Sequence, residues 1–154
     1  MNVTEAVETR RSVRQFTDKP VDKAILERLL TKAQRSPSGG NTQPWNAVIL
    51  TDQPLADLTA KIKAKAATAP LGEAPEYDIY PKGLEGRYED QRRGVGKAMF
   101  DALGLAREDG AGRIGQMMKN WDSFGAPVQL FTYTRKYMGP PQWSDMGMWL
   151  QTVM

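Results

Sequence analysis

The sequence contains neither cysteine nor histidine. The first absence excludes a disulfide framework, thiolate metal sites, iron–sulfur clusters and a cysteine nucleophile. The second excludes Ser–His pairs and imidazole acid–base catalysis. No stretch reaches the ~18 consecutive apolar residues of a spanning helix, and Met1-Asn2-Val3-Thr4-Glu5 opens no secretory apolar core. A strong charge bias is missing too. The 21 basic and 18 acidic residues leave a net charge of +3, mildly favourable to small anions and too mild for a dedicated nucleic-acid binder. The carboxylates are scattered, with no pair set for two-carboxylate chemistry. Any chemistry must therefore use single carboxylates, Lys, Tyr, backbone amides or a borrowed cofactor. A cytoplasmic protein without a metal, nucleic-acid or membrane partner is expected.

What is present is ordinary globular material, 40% hydrophobic and 25% charged over 154 residues, which predicts a single domain over 1–154. Asn2 is placed to cap a short helix to Thr9, answered by Glu5 three residues on. Asp22 is placed to cap a second, whose Ile25, Leu26, Leu29, Leu30 and Ala33 share a face. Ala47 to Thr51 reads as a strand, and Asp52-Gln53-Pro54 opens a helix through Leu55, Leu58 and Ile62. The Pro- and Gly-rich stretch 68–83 reads as a long excursion of the kind that forms lids. Helices follow at about 84–104 and 111–122, both interrupted by glycines, and then a strand at 127–134. Gly139-Pro140-Pro141 is expected to break the chain, with Ser144 or Asp145 capping a last helix. That helix aligns Met146, Trp149, Leu150 and Val153 on a face that needs cover and ends without a cap, which suggests a longer parent chain.

Two segments carry candidate chemistry. Arg10-Arg11-Ser12-Val13-Arg14 clusters guanidiniums around a hydroxyl, a donor set suited to a phosphate; read alone, such a run is more often a solvated turn. Pro37-Ser38-Gly39-Gly40-Asn41-Thr42-Gln43-Pro44-Trp45 joins a glycine-rich backbone to neutral donors and acceptors for a polyol or heterocycle edge. Its bland reading, a helix-to-strand connector, accounts less well for the amide pair beside Pro-Trp. Gly110-Ala111-Gly112-Arg113-Ile114-Gly115 matches the dinucleotide fingerprint G-x-G-x-x-G, but it follows no strand and is set aside. Gly94-Val95-Gly96-Lys97 lacks P-loop spacing. Most aromatics of the second half belong to the core, whereas Trp121 and Phe124, beside Gly125, are candidates for the wall of a flat-ligand pocket.

Arg10-Arg11-Ser12-Val13-Arg14-Gln15-Phe16 is similar to the N-terminal Arg-x-Ser-x-Arg-x-Phe motif of the FMN-dependent nitroreductases, and Pro37 to Trp45 resembles their Pro-Ser-x-x-Asn-x-Gln-Pro-Trp loop. The two stand in the family's order on either side of a capped helix, and the resemblance covers the whole chain. It implies an α+β nitroreductase-like fold, with a mostly antiparallel central sheet flanked by helices and FMN at the interface of a homodimer. Arg10, Ser12 and either Arg11 or Arg14 would hold the phosphate and ribityl chain. Pro37, Ser38, Gly39, Asn41 and Gln43 would reach the FMN of the partner subunit. The resemblance further implies that the flavin carries the hydride from NAD(P)H through N5 to a nitroaromatic or quinone, so no catalytic side chain is expected. Family members continue past residues 144–154 with segments that complete the flavin pocket. Three alternatives stand beside this reading: a flavin-binding module without turnover, a reduced-flavin enzyme of the same fold (dehalogenation or flavin destruction), and a nucleic-acid patch built from Arg10, Arg11, Arg14, Arg92 and Arg93.

Overall fold

The computed structural model describes residues 2–70, 72–73 and 76–154. They form helices α1 (Val3–Thr9), α2 (Lys23–Ala33), α3 (Asp52–Ala66), α4 (Gly86–Ala102), α5 (Gly110–Met118) and α6 (Pro140–Val153), with strands β1 (Asn46–Thr51) and β2 (Val128–Tyr133). Two compact units result, one from the residues up to Leu58 together with Gly125–Met154, the other from Thr59–Phe124.

In the first unit, local chemistry sets the helix starts as expected. Asn2 Oδ1 accepts from the Glu5 amide while Glu5 Oε2 accepts from the Asn2 amide, both at 2.9 Å. These two bonds satisfy donors that the first helical turn leaves open. Asp22 Oδ1 accepts from the Ala24 amide at 2.8 Å at the start of α2. β1 and β2 pair antiparallel, from Asn46 opposite Tyr133 to Thr51 opposite Val128. A two-stranded ribbon is marginal by itself, so its stability must come from packing. Ala33 of α2, Trp45 and Trp149 of α6 form the buried core, with Leu30, Leu130, Met146, Leu150 and Val153 against it. The Trp45 and Trp149 rings stack at a centroid distance of 6.2 Å and an interplanar angle of 16°. On the apolar face of α6, Trp149 is buried, and Met146, Leu150 and Val153 are partly buried against this core. This is the expected α+β class, helix-rich with an antiparallel sheet.

The start of α6 departs from expectation. Pro140 and Pro141 do not break the chain; they occupy the first helical turn, behind Gly139 as N-cap. Proline lacks only an amide hydrogen, and the first turn of a helix has no carbonyl to receive it. Gln142 Oε1 accepts from the Gly139 amide at 3.1 Å. Neither Ser144 nor Asp145 is the cap. Asp145 lies inside the helix and is buried.

In the second unit, α4 runs unbroken through Gly94 and Gly96, contrary to the expected interruption. Glycine costs a helix about 1 kcal/mol per site, and charge pairs one turn apart offset a small part of that, about 0.2–0.5 kcal/mol each. Glu89 bridges Arg92 and Arg93 at 2.7 and 2.6 Å, and Lys97 pairs with Asp101. The hydrogen bonds from Arg92 and Arg93 hold the Glu89 carboxyl well below its ordinary range, at about 2. α5 starts at Gly110, with Asp109 Oδ1 accepting from the Gly112 amide, and gives way to 3₁₀ turns over Lys119–Gly125. No described residue of 67–85 is in a helix or strand, as the excursion at 68–83 predicts; residues 71, 74 and 75 of it lie outside the described set. Among the described residues no helix is long and apolar enough to cross a membrane.

Candidate functional site

The segment after α1 is irregular, and Arg10, Arg11, Ser12 and Arg14 are all exposed. Arg11 Nη1 donates to the carbonyls of Glu8 and Arg10 at 2.7 and 2.9 Å, and Arg14 Nη1 to that of Ser12 at 3.2 Å. Among the described residues none of the three arginines forms a salt bridge. The turn therefore presents three uncompensated positive charges and a hydroxyl to solvent, a donor set that fits a phosphate.

The glycine-rich loop is ordered from both ends. Ser38 is extended, Gly39–Asn41 make a 3₁₀ turn, and Gly40, Asn41 and Gln43 take left-handed φ values of 58°, 54° and 46°. Glycine and asparagine adopt that region most readily; Gln43 does so with local support. Its amide donates to Ser38 Oγ at 3.0 Å, and its side-chain Nε2 donates to Asn41 Oδ1, also at 3.0 Å. Downstream, Trp45 is buried in the core and donates from Nε1 to Gln34 Oε1 at 2.7 Å. The loop is thus pinned by its last residue while Asn41 and Gln43 stay exposed. A Cβ built on Gly39 or Gly40 would find nothing nearer than 3.9 Å, so the backbone here is open to close approach by a ligand.

One residue of this region escaped the sequence reading. Asp145 of α6 sends Oδ2 to accept from the Gly39 amide at 3.2 Å, across 106 positions of the chain. By residue type it is a candidate helix cap. The available signal was its place one turn before Trp149 on the apolar face of α6, an unusual position for a carboxylate. No hydrogen bond or ion pair among the described residues joins 10–14 to 37–45.

Trp121 and Phe124 belong to the second unit. Trp121 lines a cavity of about 340 Å³ with Ile62, Lys65, Ala66, Ala69, Gly72 and Glu73, and its Nε1 donates to the Pro70 carbonyl at 3.2 Å. The Lys65 ammonium, hydrogen-bonded to Glu73 at the rim, lowers that carboxyl's pKa. Phe124 does not line this cavity; it sits in a left-handed run with Ser123 and Gly125. Gly110–Gly115 opens α5 with no strand before it in 104–109, so the fingerprint lacks its structural context. Gly94–Lys97 lies within α4.

The nitroreductase family model matches residues 7–154. The chain belongs to the nitroreductase family. Among solved structures, the FMN- and NADPH-dependent nitroreductase NfnB from a Sphigopyxis strain superimposes with a TM-score of 0.95 at 51% identity, over 100% of this chain and 69% of that one. Nitrobenzene nitroreductase of Ectopseudomonas oleovorans is 30% identical over 99% of this chain and 67% of its own length. Chloronitrobenzene nitroreductase of Comamonas testosteroni is 31% identical over the same shares. The chain spans about two thirds of the length of these relatives.

Proposed function

We propose that this nitroreductase-family chain acts as an FMN-dependent oxidoreductase that takes a hydride from NAD(P)H and delivers it to a flat acceptor such as a nitroaromatic or quinone. The observation that carries the reading is the uncompensated basic turn at 10–14, in a chain that also holds an open, pre-ordered loop of neutral polar groups at 37–43. FMN, when bound, supplies the redox centre, which is why a protein without histidine or cysteine can be competent. The chain's own residues bind and orient. The Arg10 guanidinium and Ser12 hydroxyl hold the phosphate end, with Arg11 or Arg14 as a further cation. Pro37, Ser38, Gly39, Asn41 and Gln43 offer their backbone edge and side-chain amides to the flavin of the partner subunit. Trp121 and Phe124 supply flat apolar surface for the acceptor.

A homodimer belongs to the same proposal. α1 buries no residue, and its Val3 and Val7 are 81% and 71% exposed, an apolar surface of the kind a second protomer covers. Single-domain organisation over 1–154 and a cytoplasmic location are proposed with it. The nucleic-acid alternative is weakened because Arg92 and Arg93 are both engaged by Glu89.

A protein extended to the length of these relatives should take up FMN, and the ligand released on denaturation should have the mass of FMN; ending at Met154, the chain should hold FMN more weakly. NADPH or NADH oxidation should then be stimulated by nitrobenzene or a quinone. Release of FAD, or no flavin uptake during titration with FMN, would overturn the reading. Binding to nucleic acid that weakens steeply with salt would favour the basic-patch alternative.

Asn41 allows a sharper test. Asn41→Ala should weaken flavin binding or turnover with an unchanged circular dichroism spectrum, because an exposed polar side chain is lost from the loop. It also places alanine at a left-handed φ, which costs about 1–2 kcal/mol locally. Asn41→Gly removes the same side chain without that strain. Equal loss in both variants assigns the effect to the amide, whereas normal binding by Asn41→Gly would mean that the residue only builds the turn.

A further inference from the structure

Asp145 is the one buried carboxylate among the described residues, and it lies in α6, a helix whose neighbouring side chains build the apolar core. Burying a carboxylate is costly unless its oxygens are engaged. The hydrogen bond it is seen to make goes to a single backbone donor, the Gly39 amide at 3.2 Å. Gly39 opens the 3₁₀ turn of the flavin loop, immediately before the left-handed Gly40 and Asn41. Nothing else seen at this point ties the turn to a rigid element: the remaining side-chain bonds of 38–43 run within the loop, from the Gln43 amide to Ser38 and from the Gln43 side chain to Asn41. Asn41 and Gln43 hold left-handed φ values that residues with a side chain adopt at a cost, and such a conformation persists where its surroundings fix it. The tether also sets where the loop sits, since α6 is locked by the stacking of Trp149 on Trp45, the residue that ends the same loop.

We propose that Asp145 is a positioning residue of the flavin site: from α6 it fixes the Gly39 amide and so holds Ser38, Asn41 and Gln43 in their binding arrangement. This rests on the flavin reading given above. Asp145 itself reaches no ligand; it acts through the turn.

The conservative replacement separates this role from a general need for the residue. In Asp145→Asn the side-chain carbonyl can still accept from Gly39, whereas in Asp145→Ala nothing can. FMN affinity, measured by fluorescence titration on the full chain, should fall about tenfold or more in Asp145→Ala, since a hydrogen bond to a charged group is lost. In Asp145→Asn it should stay within a few-fold of the wild type. Amide hydrogen exchange without flavin gives an independent readout. The Gly39 and Asn41 amides should exchange faster in Asp145→Ala and near the wild-type rate in Asp145→Asn, with α2 and β1 unchanged in both.

Normal FMN affinity and normal Gly39 exchange in Asp145→Ala would overturn the positioning role alone. Failure of both variants to fold would overturn it in favour of a general structural role. A wild-type protein extended to the length of its relatives that takes up no FMN would overturn the flavin reading, and the exchange comparison would still report whether Asp145 holds the turn.

Discussion

Replacing Arg10 by alanine is expected to weaken FMN binding by tens of fold or more while leaving the fold intact. Arg10 is singled out from its neighbours by where the guanidiniums go. Those of Arg11 and Arg14 donate to nearby backbone carbonyls, whereas that of Arg10 makes no hydrogen bond with the described residues. Its structural duty is carried by the backbone, whose amide closes α1 on the Ala6 carbonyl. Alanine keeps that bond and fits a helix end without strain, so loss of the side chain removes little from the apoprotein. Loss of one partner of a desolvated charge pair costs about 2–5 kcal/mol, which is tens to thousands of fold in affinity. The exposure of the turn places the expectation toward the lower end of that range. Riboflavin, which has the same ring and ribityl chain without the phosphate, is the control ligand. Arg10→Ala should lower FMN affinity strongly and riboflavin affinity little. An equal fall for both would detach Arg10 from the phosphate, and an unchanged FMN dissociation constant would reduce the segment to a basic turn.

Much of the frame that positions this site is legible in the sequence because its signals are local. Asn2 with Glu5, and Asp22 before the periodic run Ile25 to Ala33, announce helix starts whose hydrogen bonds close within three residues. The strands at 47–51 and 127–134 are correct to within a residue of their observed ends. Their pairing with each other is not legible, because nothing in either run selects a partner so far along the chain. The errors have a common origin in treating residue types as signals without their position. Pro140 and Pro141 signal a break by residue type, yet in a first helical turn they cost nothing. Gly94 and Gly96 signal interruptions by residue type, yet α4 runs through both. Asp145 signals a cap because aspartate favours caps, and its actual partner, the Gly39 amide, lies in a segment that only tertiary structure brings near. The loop itself was legible as a candidate site. The tie that holds it was not.

The largest stability effect is expected at Trp149. It is the bulkiest fully buried side chain, 1% exposed, and its ring faces Trp45 across the core of the first unit. Truncation to alanine removes the stacking partner and leaves a cavity that α2 and β2 cannot close without moving Leu30 or Leu130, both packed against the core. Such changes cost about 3–5 kcal/mol, a large share of the 5–15 kcal/mol typical of a folded domain. Trp149→Ala should therefore unfold at a much lower urea concentration than the wild type, with both proteins measured free of flavin because bound ligand adds apparent stability. Trp149→Phe sets two opposed effects against each other. The smaller ring loses contact area worth about 1–2 kcal/mol. The indole Nε1, however, is buried without a hydrogen-bond partner among the described residues, and a stranded donor itself costs about 1–3 kcal/mol. These nearly cancel, so Trp149→Phe should lie within about 1 kcal/mol of the wild type. Trp45→Phe should be worse, because the Trp45 indole does have a partner, Gln34 Oε1 at 2.7 Å; Gln34 is exposed and is re-solvated, so the lost bond costs about 0.5–1.5 kcal/mol beyond the lost contact area. The expected order of urea midpoints is wild type and Trp149→Phe together, then Trp45→Phe, then Trp149→Ala. A Trp149→Phe protein as unstable as Trp149→Ala would show that the indole nitrogen is satisfied after all and that the stacked pair needs both edges.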